Sequence, residues 1–594
     1  MSGSETEIKK IPYGVSDYDK IVTGNYYYVD KTPYLKIVEE AGDYLFFIRP
    51  RRFGKSLFLS MMEGYYDVYY KDRFQELFKD RAILDSPTKE QGTYLVLGFN
   101  FSMVDPAPDK VEDSFLNHVK NQVLSFIYRY DKYLSDKREH YIKTIKDSRS
   151  AADIVSALSG LCRFSNQKIY ALIDEYDNFA NTILSTVGEE AYYDLTHGKG
   201  FFRSFFNMLK GGTGGMGAPF NRLFMTGVSP ITLDDVTSGY NIGKNVSIDP
   251  LFNQMLGFTE SDVLQMIEYY REKGRIKHDN RYLLPVIRQW YNNYIFSPDS
   301  QTPLFNSDMI LYFLDEYFKV STIPRDLIDR NVRIDYGKLR HLIVVDKKGR
   351  KEPNGNFSRL REIIEEGEIA SKITKGFPLE EMDTEENFTS LLFYFGLLSI
   401  MGEKEGLPLL KIPNQTVKTL FYDYIIRVSR DIDLLDVNIG KLDTLLHGMA
   451  YHGNWRAFFD YFSKRMNAST SIRDFFKAEK VIQGFLLAYL GISDYFIVHS
   501  EKELNKGYAD IVMEPFLARY EGIKYSFMVE IKYFPKPKDP EVAERKINRL
   551  KKEAETQLKQ YAGDESFDKT IGKTTLIKLV LIYSGSQLAY IGEG

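Results

Sequence analysis

The chain has 594 residues, 43% of them apolar, and its 78 Lys and Arg nearly balance 82 Asp and Glu, leaving a net charge of -4. That length exceeds one ordinary core and points to about three or four domains, while the small net charge excludes a global basic field for nucleic acid, so any such contact must come from a local patch. A single cysteine, Cys162, excludes an internal disulfide framework and a cysteine-built zinc site. It points to a reducing intracellular compartment. A polar N-terminus and the lack of an apolar run of about 18 residues predict a cytoplasmic protein with no signal peptide and no membrane contact.

In chain order, residues 26 to 260 alternate short apolar runs with helical patterns, the rhythm of a parallel sheet flanked by helices. Strands are predicted at Tyr44 to Ile48, Tyr94 to Phe99, Ile169 to Ile173 and Leu223 to Thr226. Between the first strand and the helix opening at Ser56 lies Arg49-Pro50-Arg51-Arg52-Phe53-Gly54-Lys55-Ser56. It ends in the Gly-Lys-Ser of a phosphate-binding loop but carries Arg49 where G-x-x-x-x-G-K-[ST] has its first glycine. Gly54 would permit close backbone approach, Lys55 would reach the terminal phosphates, and Ser56 would offer a hydroxyl to Mg2+, with Arg52, Phe53 and Leu57 flanking the same loop. Ile169 to Glu175 is an apolar strand ending in two acids, which assigns Asp174 to Mg2+ and Glu175 to the attacking water. Together these segments make a nucleotide site. Thr226 and Ser229, at the end of the next strand, could sense the terminal phosphate or mark a plain strand-to-loop transition. The arginines could face phosphates or pair with nearby acids. Lys210 to Gly217 is glycine-rich and reads as a flexible loop.

From residue 260 the pattern turns mostly helical. Thr259-Glu260-Ser261-Asp262 predicts a helix start, with Val263, Met266, Ile267 and Tyr270 on one face. A helix over Phe388 to Ile400, a hairpin over Met401 to Ile412 and a helix over Thr416 to Val428 suggest a winged-helix-like unit. In the last 150 residues a helix over Ile472 to Tyr489 precedes strands at Tyr495 to Ser500, Gly507 to Met513 and Tyr525 to Tyr533. A long charged helix and a last strand, Thr575 to Tyr583, complete this block. The boundaries expected are 1–262, 263–445 and 446–594.

The rear block carries its own chemistry. Glu530 and Lys532 are two apart on a strand and share a face, while Val529 and Ile531 fill the other. Such groups are costly to bury unless they serve each other or a metal. With Asp510 from the neighbouring strand, the two acids can bind Mg2+ and the lysine can orient or help deprotonate a water for attack on a phosphodiester. Glu479 and Gln557 fall on the apolar stripes of the flanking helices, which suggests a shared polar site. Lys536, Lys538, Arg545, Lys546, Arg549, Lys551 and Lys552 form a basic run that could track a nucleic-acid backbone or be a solvated face.

With these segments in hand, the chain resembles a bacterial AAA-ATPase-like family in which a P-loop domain is fused to a C-terminal PD-(D/E)XK nuclease-superfamily domain. The carrying segments include Tyr28 to Thr32, Arg49 to Ser56, Leu172 to Asp177, Phe224 to Pro230, Asp510, and Glu530 to Lys532. The resemblance implies an α/β protein: a P-loop NTPase-like parallel sheet domain, a mostly helical middle and a restriction-endonuclease-like α/β domain. It maps the superfamily's catalytic acids and lysine onto Asp510, Glu530 and Lys532, with accessory roles for Glu479 and Gln557. The chain departs by reading Gly507-Tyr508-Ala509-Asp510 where many relatives have an arginine just before the acid. The expected function is an ATP-binding, ATP-hydrolysing switch controlling a Mg2+-dependent nuclease that acts on DNA. The alternative is a nucleotide-dependent scaffold that binds nucleic acid or protein without cutting. Oligomeric state is left open.

Overall fold

The computed structural model describes residues 7–237, 243–329, 331–332, 359–360, 363, 367–382, 384–421, 438–468, 479–505, 507–585 and 587–594. The chain divides into two compact units. The first is built mainly from Met1–Thr322 and Ala370–Pro413, with Ile328–His341 joining it, and the second mainly from Asn414–Gly594. The first unit therefore runs well past residue 262 and takes in the helices Glu260–Glu272, Asn280–Tyr291 and Ser307–Val320.

Five strands of the first unit, β1 (Tyr44–Ile48), β2 (Leu95–Asn100), β3 (Ile169–Asp174), β4 (Phe220–Gly227) and β5 (Lys244–Asn245), form one sheet in the order β2-β3-β4-β1-β5. Every neighbouring pair is parallel. Parallel strands need long crossovers, supplied here by helices such as Lys55–Tyr66, Val111–Arg129, Ala151–Phe164 and Phe201–Gly211. The helices cover the sheet most fully at its centre. This is why β3 is buried at every position and reads as an unbroken apolar run. The register pairs Ile48 with Gly227 and Asn100 with Asp174, so the carboxyl ends of β1, β2, β3 and β4 share one edge. Open α/β sheets bind ligands at such an edge.

The predicted start at Thr259 is a complete capping box: the Thr259 hydroxyl accepts from the Asp262 backbone and the Asp262 carboxylate accepts from the Thr259 backbone. Val263, Met266, Ile267 and Tyr270 are all buried, as the spacing requires. After β6 (Glu368–Ala370), the helix predicted to Ile400 ends earlier, at Tyr394. Gly396 takes a left-handed φ of +75°, which stops the helix, and the chain then enters β7 (Ser399–Lys404). A turn with positive φ at Glu405 and Gly406 joins β7 to antiparallel β8 (Leu407–Lys411). The helix that follows is described only to Phe421, and the hairpin and Asn414 onward fall in different units.

In the second unit, β9 (Phe496–Leu504), β10 (Gly507–Pro515), β11 (Tyr525–Phe534), β12 (Thr575–Ser584) and β13 (Gln587–Glu593) form a mixed sheet in the order β13-β12-β11-β10-β9. Only β11 and β12 run parallel. The connection between them carries the helix Pro540–Tyr561, whose Ala554, Leu558 and Tyr561 pack with Val512, Met528, Phe534, Val580 and Ile582. The sequence reading ended the sheet at Tyr583 and missed β13, whose alternation is weak because most of its side chains stay partly exposed. The preceding helix is described as Glu479–Leu490, and predicted positions 472–478 lie outside the described residues.

Replacing Thr259 by Ala removes one half of the capping box, so we expect a loss of about 1 kcal/mol from the first unit. Chemical denaturation followed by fluorescence checks this, and an unchanged midpoint would contradict it.

Candidate functional site

The loop after β1 is anchored by the residue that replaces its glycine. Arg49 is 2% exposed, with its guanidinium stacked between the rings of Phe47 and Phe296 at 4.3 Å from each. It donates to the carbonyls of Ile48 (3.1 Å), Ser247 (2.5 Å) and Phe252 (3.0 Å). Its charge is thus engaged inside the fold and has no route to a phosphate. The left-handed turn of the loop lies instead at Arg52 (φ +69°) and Gly54 (φ +95°), which explains why position 49 tolerates a side chain.

Arg52 is turned toward acids: its Nη1 lies 2.9 Å from Asp308 Oδ2 and 3.4 Å from Asp329 Oδ2. Tyr13 donates to the same Asp329 oxygen at 2.6 Å. Phe53 is buried edge-on against Tyr294 and Phe296, leaving its backbone to the loop. Lys55 Nζ bridges the loop through the carbonyls of Arg49 and Pro50 at 3.2 and 3.1 Å. Lys55 and Ser56 open the following helix, where backbone N–H groups favour an anion. A Cβ on Gly54 would meet nothing nearer than 3.9 Å, so the backbone lies open to a ligand. Beside the loop is a cavity of about 280 Å³, lined by Arg52 to Phe58, Glu175, Tyr27, Tyr28, Phe258 and Asp308 among others. Leu57 is part of that lining. The sequence reading did not foresee the aromatic wall, because its residues are up to 231 positions apart in the chain, from Tyr27 to Phe258.

Ser56 Oγ donates to Asp174 Oδ2 at 2.5 Å, so the two predicted Mg2+ ligands meet. Burial, reinforced by Glu175, pushes the Asp174 carboxyl up to about 6 against the opposing pull of Ser56 and Lys55. Glu175 has a φ of +51° and lines the cavity. Thr226 lies on the same edge, but its hydroxyl donates to the Phe47 carbonyl at 2.8 Å and links β4 to β1. Asp177, which the sequence reading gave no role, is 1% exposed and accepts from the backbones of Val228 (3.0 Å) and Ser229 (2.5 Å). It fixes the loop after β4, while the buried Ser229 hydroxyl has no hydrogen-bond partner among the described residues.

The rear site sits where β10 and β11 pair. Ile511 faces Val529 and Val512 faces Met528, and continuing that register sets Asp510 across from Glu530. Asp510 Oδ2 accepts from the Ile531 backbone at 2.7 Å. Lys532 Nζ donates to Glu530 Oε1 at 2.8 Å. Glu530 is 1% exposed, and its second oxygen, Oε2, is buried without a hydrogen-bond partner among the described residues. Burial and then the Asp510 charge push Glu530 up to about 7, only partly relieved by Lys532. Burial likewise raises Asp510, opposed by the Ile531 N–H and Lys532. Burial works against the Lys532 charge, but Glu530, Asp510 and Glu479 together hold its proton affinity above the ordinary lysine range.

Glu479 completes the cluster from the helix Glu479–Leu490: burial and Asp510 raise it, while Lys532 and the Tyr533 backbone lower it. Gln557 stands one step removed, with Nε2 3.4 Å from the Tyr561 hydroxyl and a buried Oε1 that has no partner among the described residues. Two contributors escaped the sequence reading. Gln483 holds the Asp510 carbonyl through Nε2 at 2.7 Å, and its place four residues after Glu479 was the available signal. The Tyr561 ring packs so closely on Gly507 that a Cβ there would lie 2.4 Å from it.

A buried carboxylate with an unpartnered oxygen, Glu530, beside the half-buried Asp510 is a donor set that fits a hard oxygen-seeking cation. Ser56 with Asp174 fits one equally well. Residues 12–237 match the family model described as "Predicted AAA-ATPase", and residues 477–593 match that of the PD-(D/E)XK nuclease superfamily. The chain thus carries an AAA-ATPase-like domain and, at its C-terminal end, a PD-(D/E)XK nuclease-superfamily domain. Over 317 residues it is 25% identical to an uncharacterized protein in the vnfD 5' region of Azotobacter chroococcum mcd 1. That match covers 52% of this chain and 53% of the relative, so the chain spans about half the length of the curated relative it matches. Among the described residues, no helix is long and apolar enough to cross a membrane.

Metal must displace the proton that Glu530 holds below about pH 7. Mg2+ affinity at the rear site is therefore expected to rise by about tenfold per pH unit up to that point and then level off. Calorimetric titration across that range checks this, and a pH-independent affinity would contradict it.

Proposed function

We propose that the protein is a nucleotide-dependent nuclease-type enzyme in which ATP bound to the first unit controls Mg2+-dependent phosphodiester cleavage of DNA by the second. The observation that carries this reading is the meeting of Asp510, Glu530 and Lys532 in one buried cluster with Glu479 beside it. Asp510 and Glu530 would hold the cation, which when bound supplies Lewis-acid activation of water and charge stabilisation at phosphorus. Lys532, kept protonated by its acidic neighbours, would orient the nucleophile or neutralise the developing phosphorane charge. Glu479 would share the cation site, and Gln557 would position Tyr561 at its edge.

Beside this site, Lys536, Lys538, Arg545, Arg549 and Lys552 are exposed at and before the helix Pro540–Tyr561. Such a row suits a phosphate backbone. In the first unit Lys55 would contact the terminal phosphates, Ser56 and Asp174 would hold Mg2+, and Glu175 would orient water for hydrolysis. Gly54 and the backbone of Arg52, Phe53 and Leu57 would cradle the phosphates, with Thr226 at the strand edge beyond them. The aromatic-walled cavity beside the loop has the size and lining to receive a base.

Incubation of the full chain with DNA or RNA, Mg2+ and ATP or its non-hydrolysable analogue tests the reading. We expect DNA cleavage that falls by about 100-fold or more in Lys532→Ala. Lys55→Ala should abolish the response to nucleotide while leaving Mg2+ binding at the rear site intact. No cleavage under any nucleotide condition, with Mg2+ still bound, would favour a binding scaffold instead.

A further inference from the structure

Apart from both of these sites, the first unit gathers a third set of metal-ligand side chains. His197 follows the helix Glu189–Thr196, Asp235 lies in the helix Pro230–Thr237, and Glu380 lies in the single turn Leu379–Glu381. His197 Nε2 is 3.6 Å from Asp235 Oδ1 and 3.7 Å from Glu380 Oε1. All three donor atoms fall within 4.8 Å of one another.

The hydrogen bonds around the imidazole fix which nitrogen faces the acids with a lone pair. Thr196 Oγ1 donates to the Tyr192 carbonyl at 2.8 Å and lies 2.9 Å from His197 Nδ1. With its only proton directed to Tyr192, that hydroxyl can only accept from Nδ1–H. A neutral ring then presents the Nε2 lone pair to two carboxylate oxygens. Asp235 is 3% exposed, and its other oxygen, Oδ2, accepts from the Tyr192 hydroxyl at 2.7 Å. Tyr192 and Thr196 thus orient two of the three side chains, as outer partners of metal ligands do.

Three acceptors converging on one point form a donor set that a cation between them would complete. A proton on Nε2 would draw the oxygens to about 2.7–3.2 Å. The separations seen are too long for that, whereas a tetrahedral ion with bonds of about 2.0–2.1 Å sets its ligands about 3.4 Å apart. One imidazole with two carboxylates suits Zn2+ or a neighbouring transition metal better than Mg2+. We propose that His197, Asp235 and Glu380 form a divalent transition-metal site, with the exposed side next to Glu380 left to water. An ion there ties the helix that follows β4 directly to the turn at Glu380, through residues that belong to neither the nucleotide site nor the rear site.

The test uses the full chain, stripped with chelator and dialysed against Zn2+ in the presence of excess Mg2+, with bound zinc counted by mass spectrometry. One equivalent is expected in the wild type and in the Asp510→Asn/Glu530→Gln variant. Affinity should fall at least about tenfold in His197→Ala and in Glu380→Gln. The second variant guards against loss of fold, because Glu380 is 55% exposed. Co2+ should give the visible absorption of a tetrahedral site in the wild type and lose it in His197→Ala. Equal zinc binding by wild type and both ligand variants, or no zinc in the wild type, would overturn the proposal.

Discussion

A carboxylate carried on a fully buried strand has to be matched by a proton or a cation, and both sites of this protein are organised around that constraint. Asp174 ends a strand with no exposed residue, and Glu530 lies within one. Desolvation raises both, and in each case a lysine, Lys55 or Lys532, relieves only part of the penalty. Taking an ion out of water costs several kcal/mol unless its remaining lone pairs are satisfied. Glu530 Oε2 and the Ser56–Asp174 pair therefore read as groups arranged for a ligand. Folding stability alone would be served better by apolar residues at these points.

The variant phosphate loop follows a related logic. A leading glycine is needed where the backbone turns left-handed or where a ligand must come close, and position 49 does neither. The arginine there binds three carbonyls and two aromatic faces, so the base of the loop is held by a buried cation. Arg52, three residues before the helix begins at Lys55, is paired instead with Asp308 and Asp329. Of the loop's cationic side chains with contacts given above, Lys55 is the one placed across its mouth. The loop thus keeps the Gly-Lys-Ser end of the phosphate-binding pattern and supports it from a buried arginine where the pattern has a glycine.

Much of this was legible in the sequence where the signal is local. The strands at Tyr44 and Ile169 were visible as apolar runs, and the Thr259 helix start as a capping pattern, because each depends on neighbouring residues. The shared face of Glu530 and Lys532 followed from the period of a strand. What escaped depends on distant residues. Nothing near Arg49 announces Ser247, Phe252 or Phe296, and nothing near Arg52 announces Asp308. The helix expected over Phe388 to Ile400 stops at Tyr394 because Gly396 turns left-handed, a backbone choice that the surrounding apolar run does not announce. β13 was missed because a half-exposed edge strand need not alternate clearly.

If the acids of each unit hold a divalent cation, as proposed, the ion should be directly visible. Locating Mn2+ by its anomalous scattering in crystals of the full chain grown with an ATP analogue tests this most directly. One ion is expected in contact with Asp510 and Glu530, with Lys532 shifted off Glu530 Oε1, and another near Ser56 and Asp174. Anomalous density confined to exposed acids, with Lys532 still closing the Glu530 carboxylate, would contradict it.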